Sequence, residues 1–400
     1  MKNTNLLVIL ILCIWFVISF VTNILGPILP MVINDFGLNL TLAAFLPFSF
    51  FLAYGIMSIP AGVIVERFGG KISLLIAFTL AFIGALLFVL FPSYAVVLSS
   101  LFIIGLGMAM LQVIILPLMR EAGGEKNYAF NTVLAQVVFG LASFVSPFIL
   151  TGAMHRFSLK WSTFYFIFTI VFALMLLIIS IVKFPKVELK EDEKAGAGKH
   201  YLELIKNKHV ILFFLGIIAY VGTEQGIADW MSQFLKTYHG VDPAGPGAAA
   251  IAWFWGLMTI GCLLGLVIVK LIDSKLMLRI FAVFAIVNLF VALFSPVSVA
   301  IIAFPFCGFS ISIMFSIVFS LALNSVEKYH GAFSGILCTG IFGGALVPFI
   351  IGWVGDLTGL RASMCILFLT LAYILSVSFW AKPLVENKTV RLRDLFKTKN

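Results

Sequence analysis

The chain has 400 residues, 62% of them hydrophobic and 11% charged, with 42 Phe and a net charge of +9. Soluble domains are about half apolar and about a quarter charged, so a mean hydropathy of +1.15 points to lipid as the solvent. The basic excess lies at helix ends rather than in one patch, which excludes nucleic acid as a partner.

Weakly charged apolar runs of at least about 18 residues fall near residues 5–30, 42–65, 71–91, 94–119, 128–153, 161–184, 209–236, 246–270, 276–294, 297–325, 331–354 and 361–381. Each is too long for a barrel strand, so helices must satisfy the backbone internally. The expected fold is an all-α membrane protein with twelve transmembrane helices in two six-helix pseudo-symmetric bundles. The first run continues to Pro30 without a small-residue cleavage site, which reads as an uncleaved first helix. With the N-terminus in the cytoplasm, only Arg156, Lys160, Lys236 and Arg361 of the 26 Lys and Arg fall outside. That bias obeys the positive-inside rule and places both termini in the cytoplasm.

The turn between the second and third spans reads GVIVERFGGK, where Gly62, Glu66, Arg67, Gly69 and Lys71 fit G-x-x-x-[DE]-[RK]-x-G-x-[RK]. Gly62 permits close helix approach, and Glu66 can accept charge-assisted bonds from neighbouring helix ends. Arg67 and Lys71 set topology and are expected to reach the opposite half, forming a latch that breaks as the halves move.

After the sixth span the composition changes to charged and Gly-containing. The expected domains are a bundle over 1–184, a cytoplasmic linker over 185–208, a second bundle over 209–382 and a tail over 383–400. The halves echo each other: YGIMSI (54–59) answers WGLMTI (255–260), and FGLASFVSPFI answers FGGALVPFI. Parallel six-helix repeats around a midplane site are the pattern of alternating-access secondary transporters.

The knot at 62–71 resembles the motif of the major facilitator superfamily, and twelve spans in two halves agree with it. LQVIILP (111–117), YVGTE (220–224), SIMFSIVFSLAL (312–323) and GGALVPFIIGWVGD (343–356) are similar to segments of its fucose:proton symporter family of sugar transporters. AKPLVENKT after the last span looks like the C-terminal end of bacterial members. The resemblance implies a bacterial inner-membrane sugar symporter, with protons as the coupling ion. The departures are Leu25 and Gly26 where the family carries an Asn-Asp pair, and Leu116, Phe139 and Ile311 where it carries Asn. Cys262 stands in place of an Arg. Together they imply a drier site, tolerant of a less polar solute.

Glu224 lies near the middle of its span, where a carboxylate is costly and reads as functional. It is the expected proton-coupling residue. Tyr220, one turn earlier, shares its face. Gln112, Gln136, Phe139 and Asn23 complete the expected solute contacts, with Asn23 and Asn131 also read as helix–helix ties. Asp229 reads as a locally bonded residue at the outer mouth. Trp253 and Trp255 read either as ring-stacking groups or as interfacial anchors.

The five cysteines lack paired spacing and read as packing residues. No phosphate loop, HExxH or Cys/His cluster argues for an enzyme, a metal or a cofactor. The expected function is therefore proton-coupled movement of a small carbohydrate-like solute by a monomer. Facilitated passage or export of a less polar compound, and a non-transporting membrane sensor, stand as alternatives.

Overall fold

The computed structural model describes residues 2–123, 125–184, 198–269, 271–326 and 328–384; most of the linker stretch and of the tail lies outside the described residues. Among the described residues the only regular structure is helical.

α1 (Lys2–Asn23) and α2 (Leu25–Phe36) form one apolar crossing, broken at Ile24. The break has a local cause. Proline has no N–H, so Pro27 leaves the Asn23 carbonyl, and Pro30 the Gly26 carbonyl, without its helical donor.

α3 (Leu40–Leu90) runs for 51 residues, which as one rod would span about 75 Å against a hydrocarbon core of about 30 Å. Gly69, with φ 75° and ψ 169°, divides it into two crossings, 40–68 and 70–90. A side chain is not tolerated at that backbone conformation, so the glycine of the charged knot is the turn itself.

α4 (Tyr94–Gly123), α5 (Glu125–Phe157) and α6 (Thr163–Ile181) follow, then the short α7 (Gly198–Ile205) and α8 (Lys208–His239). A π turn at Pro243–Gly247 leads into α9 (Ala248–Ile268) and α10 (Ser274–Phe294). The last three crossings are each made of two pieces: α11 (Val297–Ile311) with α12 (Met314–Leu323), α13 (His330–Thr339) with α14 (Gly343–Thr358), and α15 (Leu360–Met364) with α16 (Ile366–Trp380). Eleven described stretches are long and apolar enough to cross a membrane. Because α3 supplies two passes, the count agrees with twelve crossings.

The loops define two ends. Gly37, Ser158, Gly240, Ser295 and Gly359 lie at the end that also holds Asp356; Gly69, Val182, Ile205 and Ser325 lie at the end that holds Lys71. Helices from before and after the linker meet most extensively along two seams, α3 on α14 and α5 on α9, with α2 also resting on α8. A Cβ at Gly140 of α5 would collide with the Thr259 side chain of α9, so that approach needs glycine. The internal echo holds at atomic detail: Ser58 Oγ donates to the Tyr54 carbonyl at 2.6 Å, and Thr259 Oγ1 donates to the Trp255 carbonyl at 2.8 Å.

Candidate functional site

The polar centre of the helices after the linker is built on α8. Tyr220 is buried, and it stands one turn before Glu224, whose carboxyl lies close to its hydroxyl. Cys262 of α9 lies beside Glu224, and its thiol donates to the Ser312 carbonyl at 3.1 Å. Among the described residues no basic side chain pairs with Glu224. The Tyr220 ring packs on Phe315 with centroids 5.6 Å apart.

Phe315 in turn borders an open groove of about 390 Å³ lined by Phe315, Ser316, Phe319, Ser320, Leu323 and Asn324. These residues recur at intervals of one and four, so they form one face of α12. Hydroxyls alternate with rings along it, and Asn324 stands at its Lys71 end. Sequence reasoning passed over this wall. Its signal was the polar stripe Ser316, Ser320 and Asn324 in an otherwise apolar helix.

The expected residues before the linker are arranged differently. Asn23 Nδ2 donates to Ser143 Oγ at 2.7 Å and to Ser19 Oγ at 3.3 Å, tying α1 to α5. Phe139 packs edge-on against Trp15 with centroids 5.8 Å apart, and its carbonyl accepts from Ser19 and Ser143. Gln112 is half-buried, Gln136 is exposed, and Asn131 is buried. No hydrogen bond joins either glutamine to Tyr220 or Glu224 among the described residues. Trp255 is buried, whereas Trp253 is exposed and meets Phe144 edge-on at 5.3 Å.

Two expectations need correction. Asp229 is not bonded locally at a wet mouth: it is 2% exposed, and its Oδ2 has no hydrogen-bond partner. Lys71 does not reach across the molecule. Its Nζ donates to the Ser180 and Val182 carbonyls at 2.8 and 2.9 Å, neutralising the C-terminal end of α6.

Glu66 of the charged knot lies near α7. Burial, together with the negative charge of Glu66, raises the Tyr201 hydroxyl above its usual pKa. The same hydroxyl lies against Gly335 of α13, and the neighbouring His200 ring stacks on Tyr329 at 4.1 Å. Glu66 and Arg67 are both exposed, and Gly62 is half-buried.

At the opposite end hydrogen bonds tie α14 to α3. Asp356, at the end of α14, accepts from the Leu40 and Thr41 backbone N–H groups at 2.9 and 2.8 Å and from the Thr41 hydroxyl. Asn39 Oδ1 takes the Leu42 N–H at 2.8 Å, and the Asn39 carbonyl takes that of Ala43. The donors of Leu40, Thr41 and Leu42, three of the four that a helix start leaves open, are thereby occupied, and Ala43 begins the regular ladder. Lys236 Nζ donates to Asn34 Oδ1 at 2.9 Å, joining α8 to α2. The five cysteines are unpaired, and no described cluster of His, Cys, Asp and Glu could hold a metal ion.

A wall of polar and aromatic groups at one end, with a helix-capped seal at the other, is the geometry of a gated passage. The comparisons agree with it. The chain is 30% identical over 393 aligned positions to a glucose/galactose transporter of Brucella abortus, covering 93% of each. It is 25% identical to the L-fucose-proton symporter of Escherichia coli strain K12 over 382 positions, covering 87% of each. Among solved structures, the E. coli fucose:proton symporter superposes with a TM-score of 0.69 at 22% identity, covering 95% of this chain and 99% of that one. A D-xylose-proton symporter superposes with a TM-score of 0.74 at 13% identity, covering 96% and 99%. The sequence profile of the Major Facilitator Superfamily matches residues 11–347, and the chain belongs to that superfamily.

Proposed function

We propose that the protein imports a small sugar or sugar-like solute across the bacterial inner membrane with protons, by alternating access between two bundles, 1–184 and 209–382. The Lys71 end is the cytoplasmic one in this reading, with both chain termini on that side, and the protein works as a monomer. The structure then represents the state closed outside and open inside.

One observation carries the reading. The α12 groove runs from Asn324, near the Lys71 end, to Phe315, whose ring packs on Tyr220, while Asp356 ties α14 to α3 at the other end. A volume of about 390 Å³ suits a small molecule, since such sites run to about 300–1,000 Å³. Sugars offer hydroxyls above and below an apolar ring face. Ser316, Ser320 and Asn324 can answer the former, and Phe315 and Phe319 the latter.

Glu224 is the proposed proton carrier. It is a carboxyl within a membrane crossing, part-exposed, with the Tyr220 hydroxyl near it and no cation beside it. Gln112, Gln136 and Phe139 are proposed to contact solute from the other bundle, once it closes on them. A second reading, a carrier of a less polar organic solute, is favoured by Phe315, Phe319 and Leu323 making half of the cavity wall.

Proteoliposome uptake of labelled glucose, galactose and fucose under an inward proton gradient tests the first reading. Accumulation of at least one of them, lost when the gradient is collapsed, is the expected result. Uptake of none of them, with uptake of apolar glycosides instead, moves the assignment to the second.

A further inference from the structure

The outer half of α8 carries a second polar centre, separate from Glu224. Asp229, Ser232 and Gln233 stand at spacings of three and four, so they share one helix face. Their exposures are 2%, 0% and 9%, and in each an oxygen lacks a hydrogen-bond partner: Asp229 Oδ2, Ser232 Oγ and Gln233 Oε1. Gln233 Nε2 donates to Thr237 Oγ1 at 3.2 Å, which leaves its amide oxygen as the unused group.

Two other elements close on this stripe, and both are broken there. A Cβ at Gly26 of α2 would lie 2.6 Å from the Ala228 carbonyl and 3.5 Å from the Asp229 Cα, so the two backbones are in contact. Gly26 belongs to the segment whose carbonyls Pro27 and Pro30 leave unpaired. A Cβ at Gly247, where the π turn enters α9, would lie 2.9 Å from Ser232 Oγ. Irregular backbone inside a membrane protein is tolerated where it lines a ligand site or a cavity.

Three orphan oxygens with a buried carboxylate among them call for a positive charge. The bases at this end are Lys236, bonded to Asn34, Arg361, lying over the Tyr238 and Phe234 rings with its Nε unpartnered, and His239, whose Nε2 is also unpartnered; none of them pairs with Asp229 among the described residues. A water could bridge the oxygens without neutralising the carboxylate. A proton would neutralise it and leave the hydroxyl and the amide oxygen unexplained. A divalent ion would exceed the single negative charge. Carboxylate, hydroxyl and amide oxygens together are hard donors, suited to a hard alkali cation.

We propose that Asp229, Ser232 and Gln233 form a binding site for a monovalent cation, sodium in the first instance, at the junction of α2, α8 and the π turn. The site is covered while Gly26 of α2 rests on α8, so the ion is expected to stabilise the arrangement in which α2 and α8 are in contact.

The test reads ion binding on purified full-length protein, so it stands or falls apart from any transport result. Tm is followed against NaCl at ionic strength held constant with choline chloride, with LiCl and KCl in parallel. Sodium is expected to produce a saturable upward shift, absent in Asp229→Asn, reduced in Ser232→Ala and retained in Glu224→Gln. A shift that survives in Asp229→Asn overturns the site. So does stabilisation of the native protein by lower pH alone with every alkali cation inert, which makes the carboxyl a proton site. Should Asp229→Asn fail to fold, direct binding of radioactive sodium to the native protein decides, compared with Ser232→Ala; no saturable binding overturns the proposal.

Discussion

Asp356 and Thr41 lie 315 positions apart in the chain, yet the carboxylate of the first accepts both the backbone N–H and the hydroxyl of the second. The pairing joins the C-terminal end of one helix to the N-terminal end of another. A carboxylate is disfavoured at the end of its own helix and favoured at the start of a neighbour's. Asp356 is therefore comfortable only while α14 sits on α3.

Asp356→Ala is expected to weaken closure of that end by about 1–2 kcal/mol, a shift of about tenfold in the closed-to-open ratio. The figure is modest because the site is solvent-facing. Spin-label distances across the end, at Asn39 and Leu357, read the change. Unaltered distance distributions would remove Asp356 from the gate.

Gly140 and Thr259 make a complementary test in the α5–α9 seam. Overpacking a tight contact costs about 1–3 kcal/mol, so Gly140→Ala lowers Tm, and Thr259→Ala introduced alongside it recovers much of the loss. A double-mutant cycle with no coupling term contradicts the close approach.

Lys71 is expected to matter for α6 rather than for the movement of the halves. Lys71→Met should cost about 0.3–1 kcal/mol of stability through its lost hold on the Ser180 and Val182 carbonyls. The open-to-closed population should stay unchanged. Glu66→Ala, beside Tyr201 and α13, is the variant expected to move that population. Accessibility labelling at both ends distinguishes the two.

On α12, Ser320→Trp places a ring in the cavity from an exposed position. Stability should stay within about 0.5 kcal/mol, while solute uptake falls more than about tenfold through blocked passage. Equal uptake by native and variant protein at matched protein levels would show that the cavity is off the path.

Glu224→Gln preserves the shape and removes the ionisable group. Accumulation driven by a proton gradient is expected to disappear, while exchange of solute across both faces continues. A variant that still concentrates solute against its gradient would assign coupling elsewhere.

The twelve crossings were legible because every backbone group in lipid must be bonded within its own helix, which demands long apolar runs that any reader of the chain can count. The turn at Gly69 and the echo of Tyr54–Ile59 in Trp255–Ile260 were legible for the same local reason: they depend on residues close together in the chain. Glu224 stood out because charge is rare in such runs. The reach of Lys71 was misjudged because a long flexible side chain takes whichever carbonyls the fold leaves open, and α6 was nearer than the other half.

What the sequence alone determined was membrane residence, the helix count and the family, all set by local hydropathy and short motifs. Only the tertiary structure decided that Asp356 caps α3, that Gly26 touches α8 at Asp229, and that one face of α12 forms a cavity wall. The first two join residues hundreds of positions apart. They depend on which helix faces meet and at what depth, and in lipid that choice falls to close packing and a few polar bonds rather than to the hydropathy that marks each helix.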